Sequence, residues 1–112
     1  MTANDFRRLV LGLPDVSEQA HMSHPDFRVA GKIFATLGYP DQDHAVLVLP
    51  PADQKNLMRT HPKTFAPAPG AWGRRGSTVI ALKTVDTAIL EKAIQAAYQR
   101  GARPAAKSKK PR

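Results

Sequence analysis

Apolar and polar positions alternate along this chain in short bursts. The clearest is Asp26-Phe27-Arg28-Val29-Ala30-Gly31-Lys32-Ile33-Phe34-Ala35-Thr36-Leu37, where two apolar runs flank Ala30-Gly31. A glycine in that place takes the positive φ of a tight turn without a Cβ penalty, so the stretch predicts a β-hairpin. With a two-residue loop, Phe27 stands opposite Phe34 and Val29 opposite Lys32 on one face, with Arg28 opposite Ile33 on the other. The tip then carries two cations.

Ahead of the hairpin, Phe6, Leu9, Val10 and Leu13 recur at helical spacing behind Asn4, a candidate N-cap. Thr2 with Asp5 three residues on is the weaker capping alternative, and Pro14 ends the helix. Val16 to Met22 predicts a strand polar enough for a sheet edge, and Ser23, His24 and Pro25 turn the chain into the hairpin. Beyond it, Ala45-Val46-Leu47-Val48-Leu49 is continuously apolar and predicts a central strand covered on at least part of both faces. Pro50-Pro51 stops that strand and opens a short helix, with Asp53 in its first turn and Leu57, Met58 and His61 on its buried side.

The alternate prolines of Phe65-Ala66-Pro67-Ala68-Pro69-Gly70 permit only an edge or extended segment. Trp72-Gly73-Arg74-Arg75-Gly76 reads as a glycine-bounded basic loop. Ser77 to Leu82 predicts a strand with Thr78, Ile80 and Leu82 on one side. Asp86 caps a last helix whose stripe is Ile89, Leu90, Ala93, Ile94, Ala97 and Tyr98, and Gly101 and Pro104 end it. Hairpins with segregated helices make this an α+β fold: two layers, an antiparallel sheet with three helices on one face, in one domain over residues 1–100.

Composition narrows the classes. A chain of 112 residues, 42% hydrophobic and 23% charged, supports one core. It has no cysteine, which excludes disulfides and thiolate chemistry. The first residues lack the basic and apolar regions of a secretory signal, so the expected location is cytoplasmic. The formal charge is +8. Residues 1–99 hold 11 Lys and Arg against 9 Asp and Glu, a balance of +2, and residues 100–112 supply the other +6 without any acid. Residues 101–112 are expected to form a disordered basic tail in which Arg103, Lys107, Lys109, Lys110 and Arg112 bind polyanions through counterion release. Without an apolar anchor, no membrane role is expected.

Arg28 and Lys32 on one protruding turn and Arg74 and Arg75 on another suit phosphate contacts from two loops. The competing reading is that cations at hairpin edges only keep strands apart. Trp72, the one tryptophan, is expected to pack over the core edge beneath the Pro-rich segment, with stacking on a base as the alternative. His21, His24 and Asp26 offer nitrogen and oxygen ligands at spacing too loose to specify a metal, and Glu18 with His21 lacks the nucleophile and oxyanion donors of an active site. No cofactor, metal or catalytic activity is expected.

Phe27-Arg28-Val29-Ala30-Gly31-Lys32-Ile33-Phe34-Ala35, with Leu13 to Glu18 before it and Leu47-Val48-Leu49-Pro50-Pro51 after it, resembles the MmcQ/YjbR family. So do Ala71-Trp72-Gly73-Arg74-Arg75-Gly76 and the helix from Asp86 to Tyr98. The resemblance implies a small fold similar to secretion-chaperone-like domains and a double-wing DNA-binding role; with the basic tail, the expected function is non-catalytic DNA binding without sequence preference. In the resemblance Arg28, Lys32, Trp72, Arg74 and Arg75 match the family's two motifs. Ser77 departs from the aromatic that many relatives place there, and the basic tail is not a family feature. The alternative function is a protein-interaction or chaperone-like module that binds a protein partner through a sheet edge or helix face.

Overall fold

The computed structural model describes residues 1–103. In chain order the elements are α1 (Ala3–Leu11), β1 (Ser17–His21), β2 (His24–Val29), β3 (Lys32–Leu37), β4 (His44–Val48), α2 (Pro51–Thr60), β5 (Phe65–Pro67), α3 (Gly70–Arg74), β6 (Ser77–Ala81) and α4 (Thr87–Ala102). The six strands form one antiparallel sheet in the order β1-β2-β3-β4-β6-β5. The α+β class holds, as do the polar edge strand β1 and the proline-bearing edge strand β5.

One face of the sheet carries the core. Phe27 and Val29 of β2, Leu47 of β4, and Thr78 and Ile80 of β6 all turn inward and are fully or nearly fully buried. Against them α1 supplies Phe6 and Val10, and α4 supplies Leu90, Ala93, Ile94 and Ala97. The rings of Phe6 and Phe27 meet edge-on with centroids 6.4 Å apart, and Tyr98 meets Phe34 the same way at 5.8 Å. Helix α2 packs beside β5 at the far edge.

The hairpin forms as expected at its tip. Ala30 and Gly31 both have positive φ, and Val29–Lys32 and Arg28–Ile33 are paired as predicted. The third pair differs, because Phe27 stands opposite Ala35 and not Phe34. One extra residue, Phe34, is accommodated as a β-bulge, which sends Phe34 and Ala35 into the core as neighbours. Helix α4 packs closely at this point. A Cβ at Gly101 would stand 3.0 Å from Val29 Cγ1 and 3.3 Å from Phe34 Cβ, so this glycine is a buried contact inside the helix and not its stop signal.

Other local differences have equally plain causes. Thr2, not Asn4, caps α1, since its hydroxyl accepts from the Asp5 N–H while the Asp5 carboxylate accepts from the Thr2 N–H. The bond from the Thr2 N–H to its carboxylate, then the Arg8 guanidinium, lower the Asp5 pKa to about 2. The β1–β2 turn is Met22-Ser23, both at positive φ, which leaves His24 and Pro25 in the strand. In α2 the buried side chain is Gln54, and Leu57 and Met58 are only half-buried. The predicted basic loop is the short helix α3, a fourth helix not foreseen.

Candidate nucleic-acid interface

Strand register decides where the cations go. Ala35 pairs with Leu47 and Val48 with Ser77, so the start of β3, the end of β4 and the start of β6 share one end of the sheet. The Arg28–Lys32 turn and the segment of residues 74–76 both lie there, two strand spacings apart, about 10 Å. Helix α4 finishes at the same end, where Lys32 Nζ donates to the Arg103 carbonyl at 3.1 Å. Asp41 and Asp43 occupy the β3–β4 turn at the opposite end, and the Leu82 N–H donates to the Asp43 carbonyl there, close to the start of α4 at Asp86.

The cations at that end are not equivalent. Arg28 lies on the sheet face away from α1 and α4, where its Nε and Nη2 donate to Asp26 Oδ1 and Oδ2 at 2.8 and 3.2 Å. His21 Nδ1 approaches Oδ2 at 2.7 Å. Asp26 is 0% exposed, so its charge is sustained by these partners. The Arg28 guanidinium, with help from His21, holds the Asp26 carboxyl below its ordinary value of 3.8 against the opposing effect of burial. Asp26 in turn raises the Arg28 pKa.

Lys32 is on the opposite, helix-covered face, level with Val29. Arg74, Arg75 and Arg103 are exposed. Among the described residues none of these three, nor Lys32, is in a salt bridge. Lys107, Lys109, Lys110 and Arg112 lie outside the described residues.

Glycines fix α3 against the sheet. A Cβ at Gly73 would stand 2.0 Å from the Ala68 carbonyl oxygen, and one at Gly76 would stand 2.0 Å from that of Leu49. Gln54 Nε2 donates to the carbonyls of Gly73 and Ser77 at 2.9 and 3.2 Å, tying the segment to α2. These contacts settle the orientation of Trp72, which is 62% exposed and not packed over the core edge as expected. Trp72 and Arg75 are three residues apart on one helical turn and share a side of it.

Beneath Trp72 lies a feature that the sequence reading missed. The sheet face that carries no long helix forms a groove of about 430 Å³, walled by Ile33, Val46 and Val48 and rimmed by Trp72, Tyr39 and Met22. Met22 is 83% exposed. Its signal in the sequence is the apolar pair at alternate positions Val46 and Val48, which lie on an expected covered strand and are only half-buried.

The histidines do not converge. His44 Nδ1 is 2.7 Å from Asp41 Oδ1 at the acidic end, and the His61 ring packs against Phe65. Among the described residues no three His, Asp or Glu side chains could jointly hold a metal ion. Glu18 pairs with Arg7 on the helix side, so it does not face His21. Among the described residues no helix is long and apolar enough to cross a membrane.

A family model described as YjbR matches residues 11–100. The chain is similar in structure to the crystal structure of Deinococcus radiodurans protein DR2400, a DUF419-domain protein. The TM-score is 0.74 at 20% identity, covering 88% of this chain and 77% of that one. No curated protein matches.

Proposed function

We propose, for a chain that belongs to the YjbR family, a non-catalytic DNA-binding role in which the basic end of the sheet contacts the phosphate backbone. The observation that carries this reading is the register-driven gathering of Lys32, Arg74, Arg75 and Arg103 at one end, free of ion pairs among the described residues. Arg28 has a different part. Its charge is spent on Asp26, so it shapes the sheet and contributes little to an external polyanion. The cations Lys107, Lys109, Lys110 and Arg112 follow α4 in sequence and add to the same nonspecific attraction.

Fluorescence anisotropy of a labelled DNA duplex, titrated with the full chain over a range of salt, tests the role. If Lys32, Arg74 and Arg75 alone neutralise phosphates, log K falls against log salt with a slope of about −3, and C-terminal cations make it steeper. Binding without salt dependence, or no binding at low salt, overturns the proposal.

A second reading, a protein-interaction module, is favoured by the edge strand β1, which is exposed over nearly its whole length. A partner there adds a strand to the sheet. Ala20→Pro on that edge would then abolish partner binding, while DNA binding through the basic end would be unaffected.

A further inference from the structure

We infer that the groove on the open face of the sheet receives an unpaired base of single-stranded DNA, stacked on Trp72. This rests on the DNA-binding reading and gives it a substrate form. A base has apolar faces, a hydrogen-bonding edge and an anionic backbone, and a site for one needs a matching part for each. Ile33, Val46 and Val48 form the apolar wall, and the half-open indole of Trp72 supplies a stacking surface. Thr36, Tyr39 and Ser77 bring hydroxyls to the lining. Arg75, exposed at the C-cap of the helix that carries Trp72, supplies positive charge near the indole for a phosphate.

Charge complementarity selects this occupant. The groove has no carboxylate among its lining residues, and Arg74 and Arg75, which follow Trp72 at the end of α3, are exposed and in no salt bridge among the described residues. A volume of about 430 Å³ falls within the roughly 300–1,000 Å³ of pockets that take ring-containing ligands. A base held in a duplex cannot present its face to an indole, so the occupant is a single strand. An exposed tryptophan beside an apolar groove also needs a reason to remain uncovered, and stacking supplies one.

Trp72 is the only tryptophan in the chain, so fluorescence excited selectively at tryptophan reports on this site alone. Full-length protein is titrated with a short oligothymidylate, with an abasic strand of equal length and charge, and with a duplex. The expected result is quenching by oligothymidylate and affinity about tenfold above that for the abasic strand. Trp72→Ala removes that preference and Trp72→Phe retains most of it. Arg75→Ala weakens both single strands equally. Equal affinity for the two single strands with unchanged fluorescence overturns the groove assignment and leaves the phosphate-binding reading standing. Failure of all three ligands to bind overturns both.

Discussion

Arg28 and Arg75 lie at the same end of one sheet, the first on an inner strand beside a buried carboxylate, the second at the close of a short helix beside an exposed indole. By composition they are the same charge. By surroundings they are opposites, because Asp26, with no exposure of its own, requires Arg28 to remain ionised inside the sheet, whereas Arg75 faces water without a salt bridge among the described residues. A count of cations overstates the charge available to a ligand. What matters is which cations the fold has already neutralised.

The largest expected effect comes from separating Arg28 from its acid. Asp26→Asn removes a buried charged acceptor of three hydrogen bonds and lowers stability by about 3 kcal/mol in urea denaturation. Duplex affinity measured while the variant is folded rises modestly, because Asp26 no longer neutralises Arg28; a parallel loss of DNA binding would break the contrast. Next is Gly73→Ala, which drives a methyl group into the Ala68 carbonyl and costs about 2 kcal/mol. Because α3 must shift, this variant also weakens DNA binding, unlike Asp26→Asn.

Acid provides a milder probe. The Asp26 carboxyl has a folded pKa below its unfolded value of 3.8, so its stabilisation is full above 3.8 and disappears as the pH falls through the folded value. Thermal melts of the wild type from neutral pH down to below pH 3 therefore show a decline from this group that Asp26→Asn lacks. Smallest is Arg75→Ala, which changes stability by no more than about 0.5 kcal/mol as an exposed substitution. Any larger loss would mean that Arg75, like Arg28, has a structural partner.

Most elements were legible because their signals are local. Ala30-Gly31 specified its turn, Pro67 and Pro69 confined β5 to an edge, and Asp86 marked the start of α4. The Phe34 bulge was not legible, since the hairpin alone permits regular pairing and the packing of Phe34 against Gly101 of α4 is a long-range contact. For the same reason Gly73 and Gly76 suggested a loop, although they are small to let backbone pass backbone. Trp72 was misjudged because exposure of an aromatic depends on the sheet face beside it. The Asp26–Arg28 pair could have been suspected from two opposite charges at alternate positions of one strand, which place their side chains on the same face.

The most direct test of the central claim compares the salt dependence of duplex binding for wild type, Arg28→Ala and the double variant Arg74→Ala/Arg75→Ala. The free-cation account predicts a slope shallower by about 1.8 in the double variant and an unchanged slope in Arg28→Ala. An unchanged slope in the double variant, or a larger change in Arg28→Ala, would contradict it.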